Sequence, residues 1–557
     1  MLFDNKGNLL GAKVADDGQW RFAADTLVPQ KFASCIATYE DKRFYTHIGI
    51  DAIAVGRALL QNFRNGKIVS GGSTITMQLA RLQTHRKGNS ILAKFIEGLV
   101  ALRTETEYSK QEILRLYASK APFGGNIVGL EAASWRYYGR NPSQLSWAES
   151  ALLAVLPNNP SRIFPGQNEG LLKKKRDNLL KKLWLLHQID TSTYRLALLE
   201  PIPTKPLLLP KAAPHLLDQA IKDGHKNEQI FSTIDANIQH RATEILRKYH
   251  ELFVANGIYN GAVLVLDVKT GKTLAYVGNV ENEHNEANSF DVDLIQRPRS
   301  TGSILKPFLF AMNLNEGRLL GQSIVPDIPT IIGGYAPKNH DFGYDGAVMF
   351  KKSLSRSLNV PAVRVLQEYG IEKFRNNLQL LGLSTFTKPA AHYGLSIILG
   401  GGEATLWDLC STYASMARSL GHYNKFKGVY FDFDYRKAIY DSKILKQDAY
   451  LRYLLKPVST NILSASSIWF TFDAMNEVSR PDLEIGWKNF SSSIKLAWKT
   501  GTSFGNRDAW AIGCNPDYVV GVWIGNADGE GRHQLTGINC AAPVLFCLLY
   551  TSPSPRD

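Results

Sequence analysis

At 557 residues the chain is longer than one ordinary hydrophobic core can organise, so two or three domains are expected, and a hydrophobic content of 44% excludes extensive disorder. The net charge of +14 favours an anionic partner. With no zinc-finger spacing, RNA-binding signature or helix-turn-helix pattern, nucleic acid is set aside in favour of a negatively charged membrane surface or an anionic lipid substrate.

Residues 3 to 23 alternate and turn as a short hairpin would. From Lys31 the pattern becomes helical: Ile53, Val55, Leu59, Leu60 and Phe63 recur at helix spacing, and so do Ile91, Leu92, Phe95, Ile96, Leu99 and Val100. Ser109 before Glu112, and Ser146 before Glu149, predict two capping boxes. The first third is therefore a mostly helical domain, and its chemistry-bearing residues lie in the connections. Glu40 and Asp41 precede His47 in a turn-rich segment. Gly71 to Leu79 is a glycine-led, hydroxyl-dense loop entering a helix, a combination that offers N–H groups and hydroxyls to an anion such as a diphosphate. Lys94 and Glu97 sit one helical turn apart, a spacing that serves a surface salt bridge as readily as a site. The basic run from Lys173 to Lys182 shares its helix with Leu179, Leu180, Leu183 and Trp184 and reads as a solvated face, contact with anionic lipid headgroups being the sharper alternative. Pro201, Pro203, Pro206, Pro210 and Pro214 mark a linker, and a connecting module with a helix over 238–249 follows to about residue 257. Ala262 to Asp267, turned by Lys269-Thr270-Gly271 into Thr273 to Val277, opens an α/β domain that continues to about residue 546. Cys35, Cys410, Cys514, Cys540 and Cys547 lie far apart without a Cys-x-x-Cys pair and indicate neither a disulfide framework nor a metal site.

Within that last domain Ser303 and Lys306 stand three residues apart at the head of a helix-like run, which stacks both side chains on one face. A serine hydroxyl needs a base within reach, and a desolvated lysine can serve. A Ser-x-x-Lys pair alone is weak, and Ser492 with Lys495 forms a second, incidental one. Weight comes from Ser357-Leu358-Asn359 and from Lys499-Thr500-Gly501-Thr502-Ser503 downstream, since the three elements in this order are those of penicillin-interacting serine enzymes. Acyl transfer would use Ser303 as nucleophile, Lys306 to take or relay its proton, Ser357 and Asn359 to complete the polar cleft, and Lys499 to offer charge to a substrate carboxylate. The strand carrying Thr500, Gly501, Thr502 and Ser503 would bind a peptide edge-on, with Gly501 letting backbones approach.

The run Glu40 to Gly49, the run Gly72 to Leu79, the segment Lys110 to Ala132 with Phe123-Gly124-Gly125 and Gly129, and the segment Glu149 to Pro160 together resemble the family 51 peptidoglycan glycosyltransferases. Joined to the serine triple, the chain is similar to the bifunctional class A penicillin-binding proteins. Its likeness to their 1C type is carried by Ala121 to Gly125, Trp498 to Gly505 and Arg507 to Trp510. The resemblance implies a multidomain fold, with a mainly α, lysozyme-like glycosyltransferase domain over 26–200, a linker and module over 201–257, and a β-lactamase-like α/β serine transpeptidase domain over 258–546. It implies polymerisation of lipid II into glycan strands with Glu40 as general base and Glu97 on the diphosphate side. Asp41, Phe44, His47, Gly72, Ser73, Thr74, Thr76, Gln78 and Lys94 would bind that substrate. Stem peptides, β-lactams and the outer, periplasmic side of the cytoplasmic membrane complete the implied partners. No cofactor is required; a divalent cation such as Mg²⁺ held at Glu97 is the one candidate. Met77, Ala93 and Ala118-Ser119 depart from the family pattern, and Ala93 leaves one cation fewer for a diphosphate. A β-lactamase, or a glycosyltransferase whose second domain is a sensor or scaffold that binds penicillin without cross-linking, are the alternatives. At the ends, residues 1–25 are expected to be a stub following a missing membrane anchor, and 547–557 a non-native tail, resembling a translated adapter, that packs against nothing.

Overall fold

The helical spacing of the first third becomes α1 (Gln30–Glu40), α2 (Ala52–Asn65), α3 (Ile75–Thr84), α4 (Ile91–Glu107), α5 (Lys110–Lys120), α6 (Leu130–Tyr138), α7 (Trp147–Val155), α8 (Glu169–Leu185) and α9 (Thr191–Leu199). The computed structural model describes residues 1–22, 27–65, 72–84, 91–280, 288–445, 456–459, 461–479 and 495–551. Gly71, Ser492 and the tail beyond 551 lie outside the described residues, as do the side chains of Leu59, Leu60, Phe63, Ile91 and Tyr550. The chain divides into two units, one made of Met1, 11–210 and 226–229, the other of 2–10, 211–225 and 230–557.

In the first unit both capping boxes form. Ser109 Oγ accepts from Glu112 N–H while the Glu112 carboxylate accepts from Ser109 N–H, and Ser146 with Glu149 does the same, so the orphan N–H groups that start α5 and α7 are satisfied. The core gathers α1, α7 and α8 through Phe32, Ile36, Leu152, Leu153, Leu179 and Leu183. The apolar stripe on α4 follows helix spacing but does not face that core: Leu92, Phe95 and Leu99 are 69%, 64% and 52% exposed, and Ile53 on α2 is exposed as well. On α8 the basic run is only partly solvated. Arg176 is buried and donates to the carbonyls of Glu200 and Leu198, and Lys175 donates to Asn158 Oδ1 at 3.0 Å.

The second unit is built on a five-stranded antiparallel sheet in the order β14 (Ala497–Thr502), β15 (Asp508–Cys514), β16 (Tyr518–Gly525), β6 (Asn260–Asp267), β7 (Thr273–Val277). The hairpin expected from residues 262 to 277 is β6–β7. Alternation along it assigns the two faces: Ala262, Leu264 and Leu266 enter one core, Val263 and Val265 the other. Both faces are covered, which is why these strands read as nearly unbroken apolar runs. Helices α12 (Lys306–Asn315), α13 (Phe350–Ser355), α14 (Asn359–Tyr369), α15 (Ile371–Leu380), α16 (Ala390–Tyr393) and α17 (Leu406–Lys425) contribute to one core. The other is closed by α11 (Ala236–Val254) and the helix Ala542–Thr551.

Two expectations about segments are corrected here. From residue 211 the connecting segment folds into α10 (Pro214–Lys222) and α11, both against β7, so apart from 201–210 and 226–229 it belongs to the sheet unit rather than to a separate module. Strands β1 (Leu2–Phe3) and β2 (Leu9–Gly11) form the early turn of chain expected as a hairpin, and β1 then pairs in parallel with β5 (Ile230–Phe231). Farther on, β3 (Trp20–Arg21) pairs with β4 (Ile127–Val128) in the first unit. The tail does not stand free: Leu548 and Leu549 are buried in the core beneath α11 because the segment continues a helix whose apolar face is already committed. Three short pairs remain in the second unit, β8 (Arg299–Ser300) with β11 (Glu403–Ala404), β9 (Ile324–Asp327) with β10 (Gly346–Met349), and β12 (Tyr430–Phe431) with β13 (Pro457–Val458).

Candidate functional site

Glu40 closes α1 and is half-buried. Its Oε2 accepts from Gln78 Nε2 at 2.8 Å, and Gln78 Oε1 accepts from the Tyr117 hydroxyl at 3.1 Å. That chain fixes which way the Gln78 amide points. The other oxygen, Oε1, is buried without a hydrogen bond of good geometry. Burial therefore raises the Glu40 pKa above its ordinary value, against the opposing pull of Gln78, Lys175 and, more weakly, Asn158. Glu40 is a carboxylate held short of full solvation on one oxygen and steered on the other, the environment that suits a general base.

Asp41 is buried beside it and serves the scaffold. Its Oδ2 accepts from the N–H of Ile75 at 3.1 Å and lies 2.9 Å from His47 Nε2. Gly49 N–H donates to His47 Nδ1 at 3.0 Å, which leaves the ring proton on Nε2 to donate to Asp41. The N-terminus of α3 is thus capped from within, by Asp41 and by Thr74 Oγ1, which accepts from Met77 N–H. For Thr74 and Thr76 this departs from the expectation that the loop lends its hydroxyls to an anion. Thr74 donates to the carbonyl of Gly49 and Thr76 to Glu105 Oε1, both from buried positions. Gly72 lies against Val55, where a Cβ would come within 2.9 Å of the backbone. Phe44 is fully buried with Lys110 Nζ 4.7 Å over its ring. Lys110 also pairs with Glu105 at 2.7 Å.

Lys94 and Glu97 do not pair with each other. Both Glu97 oxygens are held by Arg81, at 2.8 and 3.0 Å, while Lys94 is exposed and Ser73 half-buried. Among the described residues no three histidine, cysteine, aspartate or glutamate side chains gather to hold a metal ion. A divalent cation at Glu97 would compete with the Arg81 guanidinium for both carboxylate oxygens.

The second cluster is assembled across the other unit. Ser303 lies in the short 3₁₀ turn Gly302–Leu305 that runs into α12, and Lys306 opens that helix. Lys306 is buried and donates at 2.7 Å to the Ser357 carbonyl and at 2.7 Å to Asn359 Oδ1, with Ser357 Oγ at 3.5 Å. Lys499, on β14, donates to Ser357 Oγ at 2.8 Å. The Ser357 hydroxyl thus stands between the two lysine amino groups, and among the described residues no hydrogen bond joins Ser303 Oγ to either lysine. Ser357 itself has φ +58°, a left-handed conformation uncommon for a serine, which turns its carbonyl to Lys306. Asn359 is held in place by donating to the Lys338 carbonyl and by Asn339, whose Oδ1 accepts from the N–H groups of Asn359 and Val360. Burial, and then the neighbouring Lys499, push the Lys306 pKa well below the usual lysine range, and burial pushes Lys499 down to about 7.

β14 is an edge strand, as edge-on peptide binding requires. The role of Gly501 differs from expectation: a Cβ there would meet the Thr301 carbonyl at 2.7 Å, and one on Gly302 (φ +51°) would meet Thr502 at 2.6 Å. The two glycines let the strand lie directly against the nucleophile turn. Thr502 Oγ1 accepts from Gly537 N–H, and buried Ser503 Oγ accepts from the N–H groups of Arg507 and Asp508, so Ser503 shapes the turn after the strand.

Comparison with known proteins agrees in both units. The family described as transglycosylase matches residues 8–184, and the penicillin binding protein transpeptidase domain matches residues 261–536. Penicillin-binding protein 1C of Escherichia coli (strain K12) is 34% identical over 536 residues, covering 95% of this chain and 65% of the relative. The chain belongs to the class A penicillin-binding proteins. Penicillin-binding protein 1F of Bacillus subtilis (strain 168) is 26% identical over 91% of the chain and 71% of its own length. A crystal structure of penicillin-binding protein 1A from Haemophilus influenzae shares the fold, with a TM-score of 0.55 at 17% identity over 100% of this chain and 92% of that one. The chain spans just under two thirds of the length of the Escherichia coli relative.

Several residues that organise the sites of this class A penicillin-binding protein lie outside the motifs' expected roles. Tyr117, Arg81, Glu105 and Lys175 reach their partners across 16 to 39 residues of chain, or through an electrostatic contact with Glu40, and no local pattern announces them.

Proposed function

We propose that the chain is a peptidoglycan synthase of the cell envelope that polymerises lipid II and cross-links stem peptides. The observation that carries the reading is the convergence of Lys306, Ser357, Asn359 and Lys499 by direct hydrogen bonds although they are drawn from positions 51 to 142 residues apart. Glu40, joined to Gln78 and Tyr117, supports the first activity in the same way.

In glycosyl transfer, Glu40 takes the proton from the acceptor sugar hydroxyl. That oxygen then bonds to the anomeric carbon from the face opposite the diphosphate, and the carbon–oxygen bond to the diphosphate breaks with inversion. The leaving group is already stable as an anion, so it calls for cations and donors more than for an acid. Exposed Lys94 on α4 and half-buried Ser73 in the loop before α3 are suited to meet it, and Glu97 acts by holding Arg81 in position.

In acyl transfer, Ser303 Oγ attacks the carbonyl between the two terminal D-alanines. Its proton passes to Lys306, directly or by way of Ser357, and the last D-alanine leaves with a proton returned to its amine. An amine of a neighbouring stem peptide then takes the acyl group from Ser303. The i, i+3 spacing of Ser303 and Lys306, and a Ser357 hydroxyl that accepts from Lys499 and lies 3.5 Å from Lys306 Nζ, support this reading.

Among the described residues no helix is long and apolar enough to cross a membrane. The exposed α4 stripe of Leu92, Phe95 and Leu99, with Ile48 and Ile53, supports contact of the first unit with a lipid surface, on the periplasmic side where lipid-linked precursors are consumed. The test is direct. Purified chain supplied with lipid II should yield glycan polymer, and Glu40→Gln should remove most of it; polymer at near-normal rate from the variant would overturn the reading.

A further inference from the structure

Beside the nucleophile turn the second unit opens a cleft of about 670 Å³ whose lining is not accounted for by the acyl-transfer chemistry. Its lining includes the turn after β14, with Ser503, Phe504 and Arg507, and, from elsewhere in the unit, Lys388, His392 and Glu403. The cleft is built onto the reacting centre. Ser300, which lines it, ends β8 three residues before Ser303, and its hydroxyl donates to the Gly400 carbonyl at 2.7 Å. Thr301 N–H donates to the Gly402 carbonyl, so the glycine rim and the nucleophile turn are one hydrogen-bonded piece.

The charge in this cleft is lopsided. Lys388 and Arg507 are exposed and neither makes an ion pair within 4 Å among the described residues, although Arg507 feels the buried carboxylate of Asp508; among the described lining residues Glu403 is the one acid. Phe504 is 95% exposed, so it belongs to no core and stands as an apolar contact beside the cations. Unpaired cations around a concave surface favour an anion, and a carboxylate meets arginine and lysine donors at well-defined geometry.

Direction follows from the strand. On the acyl-transfer reading, on which this inference rests, Lys499, four residues before Ser503 along β14, serves the terminal carboxylate of the donor. The donor then runs antiparallel to the strand, and its more N-terminal residues emerge at Ser503, at the mouth of the cleft. We propose that the cleft is a subsite for a side-chain or branch carboxylate of the donor peptide, lying N-terminal to the bond that Ser303 attacks, held by Lys388 and Arg507 with Phe504 against the adjoining aliphatic stem. It would make the transpeptidase selective for acidic donor peptides over their amidated counterparts.

The test compares two synthetic peptides ending in D-Ala-D-Ala, identical except for a carboxylate or a carboxamide on the residues N-terminal to that pair. Each is used to slow labelling of Ser303 by a fluorescent penicillin, in the unaltered chain and in the Lys388→Gln/Arg507→Gln double variant. The unaltered chain should be inhibited about tenfold more effectively by the acid than by the amide, the effect of a charge-assisted contact. The double variant should bring that ratio close to one. A ratio is read within one protein preparation, so a partly folded variant does not mimic the result. Equal potency in the unaltered chain, or an unchanged ratio in the variant, would overturn the subsite. Failure of the unaltered chain to label at all would overturn the acyl-transfer reading and the subsite with it, an outcome distinct from either.

Discussion

At the scale of single residues, the two sites rest on groups whose protonation is displaced in useful directions. Glu40 must be ionised to act as a base, and burial raises its pKa while Gln78 pulls it back. Activity is therefore retained above the folded-state pKa and lost as pH falls through it. Gln78→Leu removes the pull, so the acid limb of a polymerisation pH profile should move to higher pH and the neutral-pH rate should fall roughly tenfold; a uniform drop at every pH would mean that Gln78 acts only on packing. In the other site the signs oppose each other on the proposed roles: Lys306 would act as a neutral amine, lost as pH falls through its lowered pKa, and Lys499 as a cation, lost as pH rises through about 7. The second-order rate constant for penicillin acylation should be bell-shaped with a descending limb near that value, and a rate still climbing at pH about 9 would contradict it. The residues of the serine triple were legible in the sequence because Ser303 and Lys306 are coupled by helix periodicity and Lys499 by its fixed neighbours. The inward turn of Thr74, Thr76 and Ser503 was not, since a hydroxyl's direction depends on which carbonyl, carboxylate or N–H group the rest of the fold brings beside it.

At the scale of elements, the decisive contact is β14 lying on the nucleophile turn, possible only because Gly302 and Gly501 lack Cβ atoms. Gly501→Ala should push the strand off the turn, destabilise the second unit by about 1–3 kcal/mol and slow acylation by at least about tenfold. Thermal unfolding and penicillin labelling check the two effects, and normal labelling would show that the close approach is not needed. The helices and the β6–β7 hairpin follow from spacing and capping signals that lie within a few residues of one another. Allegiance of elements does not. Strand β1, α10, α11 and the buried Leu548 and Leu549 join the sheet unit through partners distant in sequence, and an apolar segment read alone does not reveal which core receives it. The α4 stripe makes the same point in reverse, since Leu92, Phe95 and Leu99 have the spacing of a core face and an exposed position.

At the scale of the whole molecule, the net charge of +14 and the exposed α4 stripe both favour an anionic lipid surface. Binding to vesicles containing anionic lipid should exceed binding to neutral vesicles, weaken with added salt, and fall further when Leu92, Phe95 and Leu99 are replaced by serine; equal binding to both vesicle types would argue against the charge, and no loss in the triple variant against the stripe. The central claim is that the chain carries two separate chemistries, one dependent on Glu40 and the other on Ser303. The measurement that tests it most directly runs lipid II polymerisation and fluorescent penicillin labelling side by side on the unaltered chain, Glu40→Gln and Ser303→Ala. Glu40→Gln should lose polymerisation by on the order of 10²–10⁴-fold and label normally, and Ser303→Ala should polymerise normally and not label. Polymerisation surviving in Glu40→Gln, or labelling surviving in Ser303→Ala, would contradict the account.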